Sequence, residues 1–333
     1  MSALVDRATV AGFGLGWSAV RRMPERSAYA LFDRLADASW SRRGKGVTRL
    51  EFNLNRVLGG DLPEKELREL SREGMRSYMR YYCDAFRLPG WSTERLMSTF
   101  ELEGKEKLHA AFAAGTGAVV ALPHSGNWDH AGAWAAEEFG GVSTVAERVK
   151  PEELYAKFLS FREARNIEVI PHEGSGASVI ATLSERATSG RLVAVLSDRD
   201  LSHRGIPVEF FGATTKMPVG MAAISVDTGV PLFPGTLWFE RDRAMGRIHD
   251  ALPMPTTGDR AERIQTLVQG LARVFEQGIR DHPTDWHMLA RVWIDDPSAE
   301  SGPSTAGGWV WCAPTTGTSP EESSRTCATS PRS

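Results

Sequence analysis

Histidine, steadied by a carboxylate, is the side chain best suited to taking a proton from an alcohol near neutral pH. The chain offers such a pair at His124 and Asp129, within the run AVVALPHSGNWDHAGAW over residues 118–134. Five apolar residues end at Pro123, a polar turn follows, and helix formers resume at Asp129. The pattern is strand, turn, helix, with His124 on the turn and Asp129 at the head of the helix. A carboxylate that accepts a bond from one imidazole nitrogen fixes the tautomer and leaves the other nitrogen to act as base. The spacing alone is weak, because His and Asp recur at any offset by chance, and a loop histidine bonded to a helix N-terminus has the same spacing. Gly126, which permits close backbone approach, and the helix start, which holds negative charge, favour the chemical reading.

A second acid arrives elsewhere. The apolar run over 192–196 reads as a buried strand and leads into Ser197, Asp198, Arg199 and Asp200. Ligands of α/β sheets gather at strand ends, so Asp198 is another candidate partner for His124, with an Asp198–Arg199 ion pair as the plain structural alternative. Glu147 and Arg148 follow one more strand on the same expected sheet edge. The remaining histidines, His109, His130, His172, His203, His249, His282 and His287, show no paired metal-ligand spacing. There is no G-x-S-x-G elbow and no P-loop, so neither a serine hydrolase nor a nucleotide kinase is supported.

The elements that must position these groups follow from periodicity. Helices are expected over 24–35, 50–58 and 64–86, the last with Leu67, Leu70, Met75, Tyr78, Met79 and Tyr82 at helical spacing. Strands are expected at 100–104, 118–122, 142–147, 167–170 and 192–196, interleaved with helices at 105–114, 129–139, 151–166 and 178–188. Then come a strand or hairpin at 205–212, a helix at 217–228, antiparallel strands at 231–239 and 246–252, and an amphipathic helix at 264–280. Such alternation implies an α/β fold with a central mixed, mainly parallel sheet flanked by helices. The expected organisation is a helical, membrane-associating N-terminal region over 1–90, an α/β core over 91–296, and a disordered Ser/Thr/Gly/Pro-rich tail over 297–333.

Composition narrows the setting. The 333 residues are 41% hydrophobic with a net charge of -3, which does not point to nucleic acid. Three cysteines, Cys83, Cys312 and Cys327, form neither a disulfide framework nor a zinc site and fit a reducing compartment. No run approaches the roughly 20 apolar residues that span a bilayer, and no signal peptide is evident, so the protein is expected to stay inside the cell. Residues 4–22 combine Leu4, Val5, Val10, Phe13, Leu15, Trp17 and Val20 with Arg7, Arg21 and Arg22. A helix of that kind lies in an anionic membrane interface or packs as an ordinary amphipathic helix.

The string HSGNWD, followed in order by DRDLSHRG, VEFFG and MPVG, resembles the bacterial lipid A lauroyl/myristoyl acyltransferase superfamily. Within it, the chain is similar to the actinobacterial phosphatidylinositol mannoside acyltransferases over roughly residues 1–296. The resemblance implies transfer of a long-chain acyl group, palmitoyl, from acyl-CoA to a mannose 6-hydroxyl of a mannosylated phosphatidylinositol. It places the protein peripherally on the cytoplasmic face of the cell membrane, with no cofactor and no metal. His124 would be the general base, and Asp198 stands where the family has an acid, often a glutamate. The shorter side chain leaves open whether Asp198 reaches the ring directly or through a shifted backbone, and the choice between Asp198 and Asp129 as the acid that orients the ring stays open. Arg162 and Arg204 match positions associated with the donor or its acyl ester, a guanidinium being well shaped for phosphate. Asp227 would make a donor-side polar contact, and Glu147 and Arg148 would stand by a sugar hydroxyl. The alternatives are another glycolipid or glycerolipid acceptor, or a non-catalytic lipid-binding protein on the same fold.

Overall fold

The computed structural model describes residues 19–146, 152–171, 176–200 and 204–296. Three helices come first: α1 (Glu25–Ser41), α2 (Lys45–Val57) and α3 (Glu64–Arg87). Their apolar stripes, among them Ala36, Val47, Leu50, Leu54 and Met75, bury against one another in a core of their own. The first two helices are longer than the sequence indicates. α1 runs through Trp40 to Ser41, and α2 begins at Lys45 because Val47 and Leu50 already face that core.

Seven strands form the central sheet: β1 (Phe100–Glu103), β2 (Ala118–Leu122), β3 (Val142–Ala146), β4 (Ile167–Pro171), β5 (Leu192–Leu196), β8 (Leu232–Phe239) and β9 (Ala244–Ile248). Their order is β1-β9-β8-β2-β5-β3-β4. All neighbours are parallel except β8 and β9, which pair antiparallel, so the sheet is mixed and mainly parallel. The intervening helices are α4 (Thr93–Ser98), α5 (Lys105–Ala113), α6 (Trp128–Phe139), α7 (Glu152–Ala164), α8 (Gly176–Thr188), α9 (Gly220–Thr228) and α10 (Arg260–Asp281).

Side chains on a strand alternate between faces, and here both faces are covered. Ala118 and Val120 of β2, with Leu192 and Phe233, pack beneath α4, α5 and α6 through Leu96, Leu108, Ala133 and Trp134. Val119 and Ala121, with Val193 and Leu232, meet α8, α9 and α10 through Leu183, Ile224, Leu267, Leu271 and Phe275. That double burial is why β2 reads AVVAL and β5 LVAVL, without a polar position in either. α10 is started by a capping box in which the Asp259 side chain accepts from the Glu262 N–H and Glu262 accepts from the Asp259 N–H.

Several elements depart from the expectation, among them β9, expected at 246–252 and found at Ala244–Ile248. Residues 206–217 form a separate antiparallel hairpin, β6 (Ile206–Phe210) and β7 (Ala213–Met217), and α9 starts only at Gly220. The two turn residues, Phe211 and Gly212, both have positive φ, at 51° and 71°. A two-residue hairpin turn demands this but seldom places a phenylalanine in it, so the turn carries no sequence signature. α4 is a single turn-and-a-half, capped by Ser92, and too short for periodicity to register. No helix among the described residues is long and apolar enough to cross a membrane.

Candidate active site

β2 and β5 are adjacent and parallel, and Leu122 pairs with Leu196 in register, so the residues that follow them emerge side by side at one sheet edge. His124 and Asp198 meet there. The His124 ring Nδ1 stands 2.5 Å from Asp198 Oδ1, and the His124 backbone N–H donates to Asp198 Oδ2 at 2.9 Å. Facing a carboxylate, Nδ1 is the protonated nitrogen and Nε2 carries the lone pair. The imidazole is 22% exposed and the Asp198 side chain 0%, so the ring is reachable while its partner is sealed from water.

A third segment closes over this pair. After α10 the chain forms a single 3-10 turn, and residues 285–287 run alongside residues 124–126. The Gly126 N–H donates to the Asp285 carbonyl at 2.9 Å, the His287 N–H donates to the His124 carbonyl at 2.8 Å, and Ser125 bridges Trp286. Trp286 is fully buried, and its indole N–H donates to Asp198 Oδ2 at 2.9 Å. Burial alone would push the Asp198 carboxyl up, but the charge of His124 and the hydrogen bonds from His124 and Trp286 outweigh it and hold Asp198 below the ordinary carboxylate range. Gly126 has φ 56°, and a Cβ on it would stand 2.7 Å from the Trp238 nitrogen, so only glycine lets the turn settle against β8.

Asp129 faces elsewhere. Its Oδ1 accepts from Arg162 Nε and Nη2 at 3.1 and 2.7 Å, and its Oδ2 accepts from the Tyr81 hydroxyl at 2.8 Å. Both oxygens are thereby engaged, and among the described residues no hydrogen bond joins Asp129 to His124. The helix head is capped instead by Asn127, whose side-chain oxygen accepts from the His130 N–H at 3.0 Å while its amide donates to Asp84 at 3.2 Å. Asp84 also accepts from Tyr29 of α1, and burial pushes its carboxyl up to about 6. Trp128, partly exposed, stacks on Tyr81 at 4.0 Å and lies 5.8 Å from the His124 ring, so aromatic surface borders that ring.

Residues 4–294 match the family described as the bacterial lipid A biosynthesis acyltransferases. The chain belongs to that family. It is 40% identical over 300 residues to a phosphatidylinositol mannoside acyltransferase of Mycolicibacterium smegmatis, a match covering 89% of this chain and 95% of the relative. It is 41% identical over 301 residues to the protein of the same name in Mycobacterium tuberculosis, covering 89% and 92%.

In this member of the acyltransferase family, then, His124, Asp198, Asp129 and Arg162 are gathered around one turn. Arg204 is exposed beside the start of α8, with its Nη1 3.7 Å from where a side chain on Gly176 would stand. Asp227 is not brought to His124. It lies in the last turn of α9, just ahead of β8, at the opposite edge of the sheet, where Arg260 clamps it through two hydrogen bonds of 2.7 and 2.6 Å. Glu147 and Arg148 lie outside the described residues. The expected alternative of an Asp198–Arg199 pair is replaced by the contacts with His124 and Trp286, while Arg199 acts electrostatically on Tyr78 of α3. Among the described residues no group of three or more His, Cys, Asp or Glu side chains could hold a metal ion.

Tyr81, Asn127, Asp285, Trp286 and His287 carry site contacts that the sequence reading passed over. Asn127 had a local signal, an Asn one residue ahead of the helix. Trp286 had none, since its partner is 88 residues away.

Proposed function

We propose that the chain transfers a fatty acyl group, palmitoyl, from acyl-CoA to a mannose hydroxyl of a phosphatidylinositol mannoside, with His124 as general base. The observation that carries this reading is the buried Asp198 carboxylate on Nδ1 of a half-open imidazole at a strand end. The names of the two mycobacterial relatives support the acceptor. In the reaction, the mannose hydroxyl gives its proton to His124 Nε2 as its oxygen attacks the thioester carbonyl carbon. The carbon–sulfur bond then breaks, the imidazolium returns the proton to the departing CoA thiolate, and an ester remains. Asp198 stabilises the imidazolium and holds Nδ1 protonated. The N–H groups of His124, Ser125 and Gly126 donate to Asp198, the Pro123 carbonyl and the Asp285 carbonyl respectively. The oxyanion is therefore met by groups outside these three.

Arg162, fixed by Asp129, and the exposed Arg204 are the cations assigned to the donor's phosphates. The protein acts on the cytoplasmic face of the membrane as a peripheral enzyme. Exposed Arg22, Arg26 and Arg34 near Leu31, 36% exposed, favour contact with anionic lipid. The decisive experiment incubates purified protein with palmitoyl-CoA and extracted phosphatidylinositol mannosides and reads the product by mass spectrometry. A mass gain of one palmitoyl on the mannose portion, absent with His124→Ala, is the expected result. Binding of lipid without any turnover would show a lipid-binding protein on an enzyme fold.

A further inference from the structure

Asp198 has two carboxylate oxygens, and a carboxylate on a short side chain can rotate about its last bond and exchange them. Oδ1 faces the His124 ring, whereas Oδ2 holds two N–H donors, the His124 backbone at 2.9 Å and the Trp286 indole at 2.9 Å. The backbone donor moves with the histidine it serves. The indole does not: Trp286 is fully buried between rings of Phe210, Phe211 and Trp293, with centroids 6.0 to 6.3 Å away. The residue before it is pinned as well. Asp285 Oδ1 accepts from Ser77 of α3 at 2.5 Å and Oδ2 accepts from the Phe239 N–H at the end of β8 at 2.9 Å. A donor supplied by this braced segment fixes the acid at the oxygen that the ring does not use.

We propose that Trp286 is a positioning residue for the acid–base pair, its indole N–H locking Asp198 in the rotamer that serves His124 and restraining the basicity of that carboxylate. This rests on His124 as general base. The donor withdraws charge from Oδ2, so the carboxylate attracts the imidazolium less strongly than an undamped one would. Removing the N–H should have two effects at once: Asp198 becomes free to turn, which slows proton transfer, and its greater charge raises the pKa of His124. Other titratable groups stand around this pair. His287, whose N–H holds the His124 carbonyl, is pushed by burial and by His124 down to about 3 and stays neutral throughout. Asp129 has both oxygens engaged by Arg162 and Tyr81.

The test replaces Trp286 with phenylalanine and, because that shrinks a buried side chain, also with benzothienylalanine, which keeps the two-ring shape and has sulfur in place of N–H. The His124 titration is followed by NMR with labelled histidine, and kcat and KM are followed against pH with palmitoyl-CoA and phosphatidylinositol mannosides. We expect the isosteric variant to fold with a melting temperature near wild type, to lose roughly tenfold in kcat with KM within about twofold, and to titrate at His124 a few tenths of a pH unit or more above wild type. Trp293→Phe is the control: its indole donates to the Phe210 carbonyl at 2.7 Å, so it should lose stability without moving the His124 titration. A His124 titration and kcat both unchanged in the isosteric variant would overturn the positioning role. The titration needs no substrate, so a shift there together with an active His124→Ala enzyme would instead overturn the general-base reading and leave the Trp286–Asp198 coupling standing.

Discussion

At the scale of single residues, two buried acids flank the His124 turn and hold different partners. Asp198 holds the ring, and Asp129 holds Arg162 and Tyr81. Asp198→Asn should leave the fold in place but favour the tautomer with the proton on Nε2, lowering the single-turnover rate by roughly 10²–10⁴-fold at unchanged donor affinity. Asp129→Asn should instead release Arg162, raising KM for acyl-CoA several-fold and lowering the melting temperature, with a smaller effect on the chemical step. Single-turnover rates and melting curves of both variants check this, and a fast Asp198→Asn enzyme beside a folded, inactive Asp129→Asn enzyme would reverse the two roles. His124 was legible in the sequence because its signal is local: a strand, a histidine, a glycine and a helix start. The choice between the acids was not, because it depends on β2 and β5 being neighbours and on where an arginine 33 residues away points its fork.

At the scale of elements, the head of α6 does more than begin a helix. Asn127 caps it through the His130 N–H and, through its amide, ties it to Asp84 of α3, which in turn takes the Tyr29 hydroxyl of α1. Asn127→Ala removes the cap and one donor to a buried carboxylate, and should cost about 2 kcal/mol or more of unfolding free energy. Denaturant titration reads this as a lower midpoint at unchanged slope; a loss under about 0.5 kcal/mol would show that water replaces the amide. The strands that place the site were the clearest elements in the sequence, since burial on both faces leaves nothing but apolar side chains in β2 and β5. β7 was invisible for the opposite reason. Its ATTKM alternates, but only Thr215 and Met217 are buried, and the turn before it hides its geometry in a phenylalanine.

At the scale of the whole molecule, stability should depend on pH through buried rings. Burial lowers His130 to about 4 and, with His124, lowers His287 to about 3, against an ordinary value of 6.5. Between those limits the unfolded chain holds protons that the folded chain refuses, so stability is full above pH 6.5 and is lost as pH falls toward 4. Asp84, raised to about 6 by burial, works the other way: its contribution is present below 3.8 and is lost as pH rises through 6. His249 is lowered by burial as well and Asp285 raised, so the rings outnumber the carboxyls and stability falls as pH drops from roughly 6 to 4. His130→Gln, whose amide can still donate to the Leu96 carbonyl, should remove about one proton from that slope; an unchanged melting-temperature profile from pH 4 to 7 would contradict the assignment. Membrane contact is tested on the same scale. Arg87 donates to the carbonyls of Val20 and Met23, so a deletion of residues 1–18 spares this anchor. It should weaken sedimentation with anionic liposomes and reduce its salt sensitivity; undiminished binding would assign the attachment to α1.

The order in which the ribosome delivers the parts sets when the site can assemble. His124 and Asp198 are made first, and the indole that seals Asp198 is encoded 88 residues after that acid. At translation rates of about 5–20 residues per second, that is a wait of roughly 4–18 s. During it, α3 lacks its contact with Asp285, and the Gly126 N–H lacks the Asp285 carbonyl to which it donates. The Asp198 carboxylate thereby gains its indole donor only after α10 and the segment beyond it have been made.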